Sequence, residues 1–155
     1  MKQHLSIAAC CLALSACAPN ASPPSTATDT KKSIEIVDLG DNGDYPFSDA
    51  ARVGNLLFLS GALGIPLGGD APVPGGIAAE TRQAMDNLKL IAAASGYEMK
   101  NIVKCSVFLV DMAEWPAFNE VYKTYFSKPY PARIAVGVKE LAAHARVEIE
   151  CIAAK

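Results

Sequence analysis

The chain has 155 residues, enough for one domain with a modest core. It is 51% hydrophobic and 19% charged, a globular balance, and its formal charge of −2 offers no basic face for nucleic acid. No basic amphipathic run marks a helix that would lie on a membrane surface.

Residues 1–16 read as a signal peptide. Lys2 lies in a short polar start, and residues 5–14 form an apolar run too short to span a bilayer. The run ends in Leu14-Ser15-Ala16-Cys17, which resembles a bacterial lipobox. That resemblance implies cleavage before Cys17 and a diacylglycerol on its thiol. Ala18 follows rather than aspartate, which by resemblance to enterobacterial sorting points to the periplasmic side of the outer membrane. Residues 17–33, the lipidated cysteine and a stretch rich in Pro, Ser, Thr and Ala, read as a tether without apolar period. The expectation is an envelope protein touching the membrane only through its lipid anchor, with residues 34–155 as the folded domain.

Within that domain residues 34–39 alternate as a first strand, and residues 41–44 make a turn. Tyr45-Pro46-Phe47-Ser48 is an extended stretch fixed by its proline. Runs 50–53 and 56–60 flank Gly54-Asn55, a two-residue hairpin loop of type II′ or I′. Gly61 follows the second run, where backbone or ligand can approach closely. Residues 63–76 are a Gly- and Pro-rich loop; no Lys-Ser/Thr follows Gly68-Gly69, so a phosphate loop is excluded. Residues 77–95 read as a helix with an apolar stripe of Ile77, Thr81, Met85, Leu88 and Ile91, stopped by Gly96. Glu80, Arg82, Asp86 and Lys89 make its solvent face. A strand at 103–110 leads to a helix with Pro116 in its first turn and a core stripe of Phe118, Val121, Tyr122, Tyr125 and Phe126. Pro129 and Pro131 precede two last strands, 132–138 and 146–153. Cys105 and Cys151 each sit in an apolar strand run; they pair if their strands are neighbours, or stay as buried free thiols.

The order β, ββ, α, β, α, ββ predicts an α+β domain, one mixed β-sheet with two helices on one face. The other sheet face then needs a cover, and a second copy of the chain is the natural one.

Exclusion narrows the chemistry. His144 is the one histidine of the domain, and no serine stands in a nucleophile-elbow setting. There is no CxxC and no HxxxH for zinc, and no GxGxxG for a nicotinamide cofactor. Arg133 stands at the mouth of a strand behind a proline. Glu148 and Glu150 alternate with Val147, Ile149 and Cys151, so both carboxylates leave one face of the last strand. A guanidinium grips a carboxylate through two parallel hydrogen bonds, and a strand carboxylate beside it positions water. Such a pair suits a small carboxylic acid; the alternative is a solvated strand face with a surface ion pair.

Motifs standing in one order carry a resemblance. They are Pro46-Phe47-Ser48, Val53-Gly54-Asn55-Leu56-Leu57-Phe58, Ser60-Gly61, Thr81-Arg82-Gln83 with Asn87-Leu88, Val107-Phe108-Leu109 with Asp111-Met112, Asn119-Glu120-Val121-Tyr122, Pro131-Ala132-Arg133 and Val147-Glu148-Ile149-Glu150. The domain resembles the Rid family of reactive-intermediate (enamine/imine) deaminases throughout residues 34–153. The resemblance implies a chorismate-mutase-like, trimer-forming fold with clefts between subunits. It implies hydrolysis of 2-imino acids to 2-oxo acids and ammonia without cofactor or metal. By the same resemblance Arg133 clamps the substrate carboxylate and Glu148 positions the attacking water. Gly61 lines the pocket with backbone, and Phe47 and Asn119 stand at substrate-binding positions. Three residues depart from the family pattern: Phe47 where tyrosine is common, Ala62 where glutamine is common, and Ile134 where a small polar residue is usual. Two functions stay open on the residues alone: an imine deaminase of the envelope, and a non-catalytic trimer that binds a small carboxylate or offers a holdase-like surface.

Overall fold

The structure, a computed structural model, describes residues 33–40 and 43–155. The proposed signal peptide, Cys17 and the tether up to residue 32 lie outside the described residues, as do two residues of the expected turn at 41–44. One seven-stranded sheet organises the domain: β1 (Ile34–Val37), β2 (Ala50–Val53), β3 (Leu56–Leu59), β4 (Ala62–Leu63), β5 (Ile102–Leu109), β6 (Ala132–Gly137) and β7 (Val147–Ala154). The order is β1-β2-β3-β7-β5-β6, with β4 also pairing β7. Every pair is antiparallel except β5 and β6, which run parallel. The mixed sheet and two helices are those expected.

The hairpin forms at Gly54-Asn55, and only Gly54 is left-handed (φ 62°), which selects the type II′ turn. The long loop starts later than expected, because Ala62 and Leu63 pair with Ile149 and Glu148. The first helix, α1 (Gly76–Ala94), buries its predicted stripe. Its end is a Schellman motif: Tyr97 N–H donates to Ala92 O at 2.7 Å and Gly96 N–H to Ala93 O at 2.9 Å, with Gly96 left-handed at φ 79°. The second helix, α2 (Trp115–Tyr122), is short and passes into a 3₁₀ turn at Lys123–Tyr125. Tyr125 is therefore only half-buried, and its hydroxyl donates to Asp86 Oδ1 at 2.8 Å.

Glu80 corrects the sequence reading. It was placed on the solvent face of α1 but is 5% exposed. The buried face is wider than the predicted stripe, and Glu80 accepts the Arg146 backbone N–H at 2.7 Å. Arg146 also bridges to Glu114 at 2.6 Å. The chain is thus pinned two residues before Glu148.

Cys105 and Cys151 are register partners on β5 and β7, 4.1 Å apart at Cα, and are joined by a disulfide. Both are buried under the helices, in one core with Val107, Leu109, Ile149, Met85, Leu88 and Phe118. The opposite face exposes Ile36, Phe58, Ile134 and Val136. No described helix is long and apolar enough to cross a membrane.

Candidate active site

The sequence suggests that Arg133 and Glu148 stand side by side. The structure separates them. Arg133 is the register partner of Cys105, whose sulfur joins Cys151 under the helices. Side chains alternate along a strand, so Arg133 leaves the helix-covered face, and Glu148, three residues from Cys151, leaves the bare one. Ile134 and Val136 alternate outward in the same register. Strand β5 also lies between β6 and β7, so the last two strands of the chain are not neighbours.

Glu148 belongs to a cleft of about 320 Å³ that also takes in Phe47, Gly61, Ala142 and Ala143. The extended stretch reaches it because Ser60 Oγ donates to Ser48 O at 2.6 Å and Ser60 N–H to Asp49 O at 2.9 Å. Phe47 stacks on Tyr45, with ring centroids 5.9 Å apart. The Glu148 side chain lies directly across Gly61: a Cβ there would overlap its Oε1 and sit 2.9 Å from its Cδ. Burial, and secondarily the neighbouring Glu150, raise the Glu148 carboxyl above its ordinary value of 4.5. A raised value makes the carboxylate a better acceptor of a proton from water. Ala143, which lines the cleft, has a left-handed backbone (φ 52°), as does the next residue, His144 (φ 58°). Strain of this kind concentrates at sites that must hold an unusual shape.

Arg133 has a different setting. Its Nη1 donates to Asn119 Oδ1 at 2.8 Å. Its guanidinium carbon lies 5.4 Å from the Trp115 ring centroid, 5.5 Å from Phe118 and 4.8 Å from Tyr122. Among the described residues no carboxylate lies within ion-pair distance of it. A half-buried cation held by neutral groups is ready to receive an anion. The surface ion pair between Arg133 and Glu148 is thereby excluded.

The chain thus presents two half-sites. Phe47, Gly61 and Glu148 are together, and Arg133 and Asn119 are together. The sequence reading missed three contributors. Trp115 precedes the stripe counted from Phe118, although positions 115, 118, 119 and 122 follow helical spacing. Asn87, buried, donates to Leu63 O at 3.3 Å and Ile65 O at 2.6 Å and fixes the loop beside the cleft. Asp49, also buried, accepts the Leu39 N–H at 2.7 Å and sets the entry to β2. A wider depression of about 510 Å³ beside Tyr97 and Tyr125 lacks comparable chemistry; its Lys100 is paired with Glu98 at 2.8 Å. Among the described residues no three His, Cys, Asp or Glu side chains gather as a metal site.

Known proteins share this fold and much of this sequence. The chain is 44% identical over 107 residues to a 2-iminobutanoate/2-iminopropanoate deaminase of Dermatophagoides farinae, covering 69% of this chain and 84% of that one. The fold matches RidA from an Antarctic Psychrobacter with a TM-score of 0.69 at 32% identity, covering 81% of this chain and 98% of the other. It also matches E. coli TdcF, solved with bound serine, with a TM-score of 0.71 at 28% identity, covering 78% and 98%. The family model described as Endoribonuclease L-PSP matches residues 43–155, nearly the whole described domain, and the chain belongs to that family, the family of RidA.

Proposed function

We propose that the protein hydrolyses 2-imino acids, and their enamine tautomers, to 2-oxo acids and ammonia in clefts assembled between copies of the chain. The observation that carries this reading is Arg133: a half-buried guanidinium bonded to a neutral amide, with no carboxylate partner among the described residues. It fits the carboxylate of an imino acid. Glu148 leaves the other sheet face, so one chain does not close the site around a small substrate. A second copy, with its Glu148 half-site set against Arg133, completes it. The bare face with Phe58, Ile134 and Val136 supplies the apolar surface for that contact, and a homotrimer is the assembly we infer.

In the cleft the substrate carboxylate forms two hydrogen bonds with Arg133. Glu148 of the adjoining copy accepts a proton from water as the water oxygen bonds to C2. That proton passes to the nitrogen, giving a 2-amino-2-hydroxy acid; Glu148 then takes the hydroxyl proton and hands it to the nitrogen as the C–N bond breaks, so ammonia leaves and C2 becomes a carbonyl. An imine carbon is already electrophilic, so fixing the carboxylate and aiming water is most of the task. The names of the deaminase relatives support this reading. Ribonuclease activity, suggested by the family description, lacks support in a chain of net charge −2.

For location we propose the envelope, with a lipid on Cys17. The Leu14–Cys17 pattern supports it, and the Cys105–Cys151 disulfide fits an oxidising compartment. If Cys17→Ser still yields a processed, membrane-bound protein, the anchor is misassigned. Activity is tested by ammonia release from freshly generated 2-iminobutanoate. Release above the spontaneous rate is expected; binding of 2-oxobutanoate without any turnover would leave a carboxylate-binding protein instead.

A further inference from the structure

The sequence places Phe118 and Tyr122, two of the three rings around Arg133, in a core stripe that Trp115 precedes. All three do more than fill space. Arg133 is the residue whose charge the proposed reaction uses, and the side chains that touch it are neutral: Trp115, Phe118, Asn119 and Tyr122. We propose that the Trp115, Phe118 and Tyr122 rings with the Asn119 amide form a neutral cradle that positions Arg133 for the ligand carboxylate while leaving its charge uncompensated. The proposal rests on the reading of Arg133 as the carboxylate anchor.

A free arginine side chain has many rotamers, and ordering it on binding weakens affinity. The fold can remove that freedom in two ways. A carboxylate would hold the guanidinium strongly but would also neutralise it and compete with the ligand. Aromatic faces hold it through their quadrupoles and leave its positive charge in place. Asn119 fixes one edge of the fork through a single hydrogen bond at 2.8 Å. The Tyr122 hydroxyl is buried without a hydrogen-bond partner, and burial pushes its pKa up to about 12 against the opposing pull of Arg133. It therefore stays a neutral phenol and does not become a counter-ion. All four groups come from α2, one helical face presented to the first residues of β6.

Asn119→Asp tests neutrality directly. It is close to isosteric and sets a carboxylate beside Nη1. In the full-length protein the expected result is an unchanged or raised melting temperature. Affinity for 2-oxobutanoate should fall about 10-fold or more, and KM for the imine should rise more than kcat changes. Trp115→Leu, at the half-buried edge of the cradle, should lower that affinity several-fold, and Trp115→Phe should restore most of it. Wild-type affinity in Asn119→Asp, or equal effects of Leu and Phe at 115, overturns the cradle. Arg133→Ala separates the two ideas. If it abolishes 2-oxobutanoate binding while Asn119→Asp does not weaken it, the cradle alone falls. If Arg133→Ala leaves binding intact, or the wild type does not bind, the anchor falls and the cradle with it.

Discussion

Gly61→Ala isolates the placement of Glu148 from its presence. Gly61 has no left-handed backbone, so alanine fits its conformation. The added methyl would overlap Glu148 Oε1 and crowd its Cδ at 2.9 Å and Cγ at 3.2 Å, so the carboxylate must swing away by about 1 Å or more. The atoms that move are the free end of a half-buried side chain, so the stability change should stay below about 1 kcal/mol. Catalysis is less tolerant, because a displacement of about 1 Å in an aimed group costs roughly 10²-fold in rate. The assay is kcat/KM for 2-iminobutanoate hydrolysis, beside a melting curve and a 2-oxobutanoate titration. The expected result is a roughly 100-fold slower enzyme with near wild-type melting and near wild-type ligand affinity, since Arg133 is untouched. A Gly61→Ala enzyme with the wild-type rate would refute the placement of Glu148 as the water-positioning group.

Arg133→Ala should lower 2-oxobutanoate affinity and turnover together, by about 2–4 kcal/mol of binding. Glu148→Gln should leave that affinity near wild type and slow turnover roughly 10²-fold, as measured in the same pair of assays. The same substitution should have a pH signature. The folded carboxyl is held above the unfolded value of 4.5, so ionising it disfavours the fold, and this penalty grows as pH rises from 4.5 through the folded value. Glu148→Gln should therefore melt higher than the wild type at neutral pH and lose that advantage below about 4.5, while wild-type kcat/KM should rise with pH through a value above 4.5. Reducing the Cys105–Cys151 disulfide, 46 residues apart in sequence, should cost about 4 kcal/mol by chain entropy; an unchanged denaturation midpoint with dithiothreitol would contradict it. For the trimer proposed above, the wild type should scatter light as a trimer and a Phe58→Asp/Ile134→Lys double variant as a monomer; a trimeric variant would place the contact elsewhere.

The sequence was informative where one local period decides the outcome. The α1 stripe, the Gly96 stop, the Gly54-Asn55 loop and the alternation through Val147–Ala154 depend on spacing within a few residues. It failed where two distant segments must be set side by side. Glu80 is helical and charged, and nothing near it announces that the Arg146 N–H will arrive over it. Arg133 and Glu148 come from strands consecutive in sequence, but β5 enters between them in parallel register with β6, and that register decides which face each side chain leaves. The cysteine pair depends on another such register, that of β5 with β7. Trp115 was legible by spacing, but Pro116 drew the start of the apolar stripe past it.

That Arg133 and Glu148 leave opposite faces of one sheet has a genetic consequence. With the cleft shared between two copies, as proposed above, two dead proteins should make a live one. A chain with Arg133→Ala keeps a sound Glu148 half-site, and a chain with Glu148→Gln keeps a sound Arg133. Co-expressed and assembled at random in equal amounts around a three-fold axis, about one cleft in four would join an intact arginine to an intact glutamate. Neither variant alone holds such a cleft. A site contained within one chain would give no rescue at any mixing ratio, so the recovered activity counts the copies that share each cleft.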